Sequence, residues 1–126
     1  MADHFIRLND VSGEVSVLLS VASGARGDYR FKLWNDRGRD PEPRGDGRFD
    51  GRTEYPPLAL GAAAKLRGRT LTWTLRFAAT AGSDDAEYRA SVRVVKDGDS
   101  TLHAIEYSGP LDDLKEVADL VHFEPA

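Results

Sequence analysis

At 126 residues the chain is sized for one domain around one hydrophobic core, and a hydrophobic share of 40% with 30% charged residues excludes global disorder. A net charge of −4 repels phosphate backbones and anionic lipid, so neither nucleic acid nor a membrane surface is expected as a partner. With no Cys, disulfides, thiol nucleophiles and thiolate metal sites are excluded together.

Phe5 to Asn9 is β-compatible, and the Asn9, Asp10, Ser12 and Gly13 cluster after it reads as a hairpin connection to the next strand. From Glu14 to Ala22, Val15, Val17, Leu19 and Val21 alternate with Glu14, Ser16 and Ser20, the period-two pattern of a half-buried strand. Tyr29, Phe31 and Leu33 alternate with Arg30, Lys32 and Trp34 as a third strand. Asn35 to Pro57 then breaks every pattern: it holds five Arg, six Asp or Glu and four Pro, with only Phe49 and Tyr55 as sizeable apolar groups. It is expected to be a long charged loop that can be shortened without loss of stability.

Leu58 to Arg69 suits one helical turn or an edge strand. Thr70 to Thr80 alternates almost without fault, with Leu71, Trp73, Leu75 and Phe77 on its inner face. Tyr88, Ala90, Val92 and Val94 restart the alternation, and Asp97-Gly98 predicts a two-residue hairpin turn into a strand at Thr101 to Ser108. That turn sets Val92 opposite His103 and Arg89 opposite Glu106. Leu111, Leu114, Val117, Ala118 and Val121 recur at helical spacing after Pro110, which predicts a helix over about 110–120, with a closing strand as the alternative for its last part. The fold expected is all-β, an antiparallel sandwich or open barrel of six or more strands in a single domain spanning 1–126, with a C-terminal helix.

Chemical signatures are sparse. Arg44-Gly45-Asp46 matches the adhesion tripeptide, yet a chain this rich in Arg, Gly and Asp produces it by chance. Asp46 to Gly51 has the oxygen-rich look of a calcium loop, but the interleaved Arg residues neutralise it and the ligand spacing is absent. His4, His103 and His122 have no metal-ligand spacing, so no metal and no cofactor is expected. Neither a nucleophile elbow nor a phosphate loop is present. Arg outnumbers Lys 13 to 4 and Asp outnumbers Glu 14 to 7, a bias that GC-rich bacterial coding DNA produces without functional selection. The opening MADHFIRLND lacks the apolar stretch of a signal peptide, and no apolar run reaches about 20 residues, so a cytoplasmic location is expected.

The reading that follows is a non-catalytic bacterial protein-binding module of accessory, assembly or immunity type. Its binding loop carries Arg39, Arg44, Asp46, Arg48, Phe49 and Arg52. A protein partner is expected, with self-association open. The alternative is a small-molecule-binding barrel with an inner pocket lined by Trp73, Phe77, Tyr88, His103 and Tyr107. A small enzyme resting on one His and one acid from distant strands ranks third.

Overall fold

The computed structural model describes residues 3–8, 12–21, 26–35, 37–50, 53–78, 87–110 and 114–124. Among these residues, alternating side chains in nine strands build two facing sheets. The strands are β1 (Asp3–Ile6), β2 (Glu14–Val21), β3 (Arg26–Trp34), β4 (Glu42–Asp50), β5 (Leu58–Ala62), β6 (Thr70–Ala78), β7 (Glu87–Lys96), β8 (Ser100–Pro110) and β9 (Leu114–Phe123). Five form one sheet in the order β1-β9-β6-β3-β4, and four form the other in the order β5-β2-β7-β8. Between them lie the inward faces read from the sequence: Val15, Val17 and Leu19 from β2, Phe31 and Leu33 from β3, Leu71, Trp73, Leu75 and Phe77 from β6, and Val92 and Val94 from β7. Leu58 to Arg69 realises both readings, since β5 is an edge strand and a 3-10 turn at Ala63–Lys65 follows it.

Several expectations are corrected. The helix over about 110–120 does not form: Leu114–Phe123 is a strand lying between β1 and β6, and no α-helix occurs among the described residues. Leu111, Asp112 and Asp113, which would have opened that helix, lie outside the described residues. Helical spacing and alternation coexist in this segment, and alternation wins because Val121 and Phe123 are buried between the sheets while β9 is hydrogen-bonded on both sides. The expected pairing of the first two strands is also absent, because β1 runs parallel to β9 and β2 lies in the opposite sheet.

The middle of the supposed 35–57 loop is likewise a strand, the nine residues Glu42–Asp50, since β4 pairs antiparallel with β3 from Leu33↔Glu42 to Arg26↔Asp50. Its inward positions are Gly45, Gly47 and Phe49. A Cβ at Gly45 would stand 2.6 Å from the Leu58 side chain, and one at Gly47 would stand 2.7 Å from the Tyr29 hydroxyl. Neighbouring side chains thus fill the space over the two glycines, and the apolar alternation that marks other strands is missing from the sequence. Pro43 fits because β4 is at the sheet edge. Phe49 is 3% exposed and stacks on Phe77 at 5.2 Å, and Tyr55 is buried against it.

The β7–β8 hairpin reaches the expected faces by another route. Lys96 pairs with Ser100 around a three-residue turn, Asp97-Gly98-Asp99, with Asp97 and Gly98 at φ +53° and +82°. A bulge then leaves Leu102 without an opposite residue and restores the alternation, so His103 pairs with Val94, Ile105 with Val92 and Tyr107 with Ala90. Glu106 still faces outward, opposite Ser91 rather than Arg89. Arg89 pairs with Ser108, and its guanidinium stands 3.9 Å from Glu87 on its own strand. Asp97 has a second duty: its carboxylate accepts from the Glu14 amide at 3.0 Å while its own amide donates to the Glu14 carbonyl at 2.9 Å, tying the turn to the start of β2.

Because Phe49 belongs to the core, Phe49→Ala is expected to cost about 3 to 5 kcal/mol of stability. Replacing Arg39 to Thr53 by a short Gly/Ser linker is expected to prevent cooperative folding. Urea denaturation followed by Trp fluorescence checks both; an unchanged midpoint for Phe49→Ala would return β4 to the status of a dispensable loop.

Candidate functional site

The residues predicted to line one inner pocket separate into two groups. Phe77 and Tyr88 stack at 5.3 Å and, with Phe49 on the other face of Phe77, form an aromatic column that spans the sheets. These are core contacts, and Phe77 and Tyr88 are buried. Trp73, Tyr107 and His103 instead belong to a polar chain that crosses from one sheet to the other.

That chain is centred on Asp119, an inward-facing carboxylate of β9 only 7% exposed. Burying a carboxylate is costly unless hydrogen bonds replace the lost water, and the surrounding strands supply them. The Tyr107 hydroxyl, from β8 of the opposite sheet, donates to Asp119 Oδ2 and accepts from the Trp73 indole N–H at 3.0 Å. Trp73 is the β6 residue directly opposite Asp119 in the sheet. On the other side, His4 Nε2 of β1 stands 3.7 Å from Asp119 Oδ1, an electrostatic contact rather than a hydrogen bond. His4 Nδ1 faces His103 Nε2 of β8 at 3.1 Å. The result is a continuous sequence Trp73, Tyr107, Asp119, His4, His103 that bridges β6, β9 and β1 of one sheet to β8 of the other.

Electrostatics follow from this arrangement. Burial, reinforced by the hydrogen bond to Asp119 and its negative charge, pushes the Tyr107 phenol well above its ordinary value of 10, against a smaller opposing effect of the Trp73 N–H. Burial also holds the His103 imidazole below the ordinary 6.5, and the neighbouring His4 acts in the same direction. Protons can be shared within the Tyr107–Asp119 hydrogen bond and within the His4–His103 hydrogen bond, and the two are linked only electrostatically through His4 and Asp119. Among the described residues, no group of three or more His, Asp or Glu is arranged to hold a metal ion. His122, the third His, is placed apart, with Nδ1 2.9 Å from the Thr70 hydroxyl and its ring stacked on Phe5.

The residues assigned to a binding loop have different fates. Arg39 lies in the β3–β4 connection, where its amide donates to the Asn35 side chain at 2.8 Å. Arg44 is paired with Glu42 at 2.5 Å, and Phe49 is core. Arg52 lies outside the described residues. Asp46 and Arg48 stand on the outer face of β4, where they join charges from other strands. In register across four strands, Arg48, Asp28, Arg76 and Glu116 form one row of alternating sign, and Asp46 and Arg30 begin the next. Arg76 grips Asp28 with two hydrogen bonds of 2.8 and 2.6 Å, which hold the Asp28 carboxyl below its ordinary value. A depression of about 420 Å³ lies over these rows. A second one, of about 480 Å³, lies against the four-stranded sheet where Ser20, Ser91 and Glu106 align, flanked by Glu54 and Arg89.

Compared with known proteins, the chain matches no family model, no curated protein and no solved structure. No helix among the described residues is long and apolar enough to cross a membrane. Fold and site therefore define the class directly, as a two-sheet β-sandwich with a Tyr–Asp–His–His chain, buried at Asp119 and half-buried at the other three residues, between its sheets and alternating charges on one outer face.

The environment of Tyr107 has a measurable consequence. Its folded value is raised, so the stability that the protonated phenol contributes is full below pH 10 and is lost as pH rises through the folded value. In an alkaline titration followed by phenolate absorbance, Tyr107→Phe is expected to remove a tyrosine step that lies well above the ordinary value of 10. Loss of a step near the ordinary value of 10 would contradict the buried Tyr107–Asp119 contact.

Proposed function

We propose that the protein is a non-catalytic protein-binding module of accessory, assembly or immunity type, whose partner docks on the outer face of the five-stranded sheet toward its β4 edge. The observation that carries this reading is the charged row Arg48, Asp28, Arg76 and Glu116 across β4, β3, β6 and β9, with Asp46 and Arg30 beside it on β4 and β3. Charges fixed in alternation on a rigid sheet discriminate between partners and set their orientation, although each exposed pair adds little affinity. The charged segment 35–57, assigned to binding as a loop from its composition, is thereby kept as the binding element, with the strand β4 at its centre. Asp46 and Arg48 are its outward residues, and Arg39 lies in its turn. Core contacts of Trp73, Phe77 and Tyr88, which are 2%, 1% and 8% exposed, weigh against an inner ligand pocket built from these residues. A cytoplasmic, bacterial setting belongs to the same proposal and rests on the sequence composition.

Arg30→Glu combined with Arg48→Glu reverses the sign of two positions that are exposed on the sheet surface. A partner recovered by cross-linking and then purified is expected to bind the double variant at least about tenfold more weakly, with the variant still folding cooperatively and melting only a few degrees lower, because the new like-charge pairs with Asp46 and Asp28 are exposed. Binding should also weaken as salt rises. Equal binding by both chains, or a partner whose affinity is indifferent to salt, would contradict docking on this face.

A further inference from the structure

The contact between His4 and His103 joins the edge strand β1 of one sheet to the edge strand β8 of the other. β1 is four residues long and is otherwise held by its parallel pairing with β9 and by the burial of Ile6 at its end. Both imidazoles lie at the margin of the interior, half-buried, with ring centroids 4.9 Å apart. Only one proton fits between His4 Nδ1 and His103 Nε2 at 3.1 Å, since one nitrogen must donate and the other accept. Of the arrangements that satisfy this, two also leave His103 neutral and place a proton on His4 Nε2, toward Asp119. In the neutral one, His4 carries its proton on Nε2, toward Asp119, and accepts from His103. In the singly charged one, His4 carries both protons and donates to a neutral His103, with the Asp119 carboxylate balancing its charge. A second added proton leaves two N–H groups pointing at each other and two positive rings in contact.

We infer that His4 and His103 form an acid-released clasp between the two sheets, closed while the pair holds at most one positive charge and opened when both rings are protonated. The groups facing the pair agree with this. Asp119 faces it from β9 and compensates one charge, not two. Tyr107, on β8, is neutral over the whole range concerned and already donates to Asp119. β7 presents the apolar Val92 and Val94 beside β8, and β6 presents Trp73, whose N–H is taken by Tyr107. Arg93 of β7 is turned to the outer face and bonded to Thr101. None of these groups supplies a second negative charge to the imidazoles. Because the folded value of His103 is depressed, what its neutral form contributes to the closed clasp is full above pH 6.5 and is lost as pH falls through that folded value. The closed state thus belongs to neutral conditions and the open state to acidic ones.

The test compares wild type with His103→Gln, whose side-chain amide can donate to His4 Nδ1 and does not titrate. Amide hydrogen exchange of β1, corrected for the intrinsic effect of pH, is read at roughly pH 7.5 and roughly pH 5. Wild type is expected to lose protection of β1 by about tenfold or more at the lower pH, and His103→Gln is expected to keep it. Nitrogen-15 spectra of the histidine rings give a second readout on wild type alone. At neutral pH, His4 and His103 should show one proton shared between Nδ1 and Nε2, and that coupling should disappear in acid while His122 serves as the unlinked reference. Equal β1 protection at both pH values, the same acid sensitivity in His103→Gln, or independent titration of His4 and His103 would each overturn the clasp.

Discussion

A carboxylate inside a sandwich of two sheets must keep its hydrogen bonds, and the position of Asp119 imposes that condition on three other strands. Leaving such a group unpaired would cost several kcal/mol, a large part of the stability of a domain this size. Trp73 therefore has to stand opposite it on β6, Tyr107 has to reach it from β8, and β1 has to lie beside β9 so that His4 comes within 3.7 Å. The hydrophobic residues supply the larger share of the driving force, yet they tolerate small shifts of one sheet over the other. Directional bonds from Tyr107 and the imidazoles do not. The polar chain is the element that sets how the two sheets face each other.

The same division of labour separates interior from exterior. Inside, the aromatic column of Phe49, Phe77 and Tyr88 and the polar chain occupy different parts of the intersheet layer. Outside, rows of opposite charges follow from the strand register, and Arg76 and Asp28 meet in a bidentate pair because they are direct neighbours on β6 and β3. Such pairs organise a surface more than they stabilise it, which is why these rows support a reading in terms of recognition.

Much of the architecture was legible wherever one strand face is apolar and the other wet. β2, β3, β6, β7 and β8 all show that alternation, and Trp73 is buried while Trp34, on the opposite face of its strand, is half-buried and donates to Thr72. β4 was illegible because glycines stand at two of its inward positions, so the chain looks like a loop although Leu58 and Tyr29 complete its packed face. β9 was legible only in its last part, as the closing strand offered beside the helix, because its apolar residues also recur at helical spacing and Asp119 sets on its inner face a charge that only the tertiary structure neutralises. The hairpin register failed for a related reason: a turn of three residues and a compensating bulge give the same faces as a turn of two. Of the site, Trp73, Tyr107 and His103 were identified as inward-facing polar or aromatic residues. Asp119 and His4 were missed, since their meeting depends on a parallel pairing of the two ends of the chain that no local pattern encodes.

The central claim is that Asp119 and Tyr107 act as one unit across the sheets. A double-mutant cycle with Asp119→Asn and Tyr107→Phe, read by urea denaturation near neutral pH, measures that directly. The account predicts a coupling energy of about 1 to 3 kcal/mol, as expected for a charge-assisted hydrogen bond removed from water. Additivity of the two substitutions within about 0.5 kcal/mol would show that the residues act independently and would contradict it.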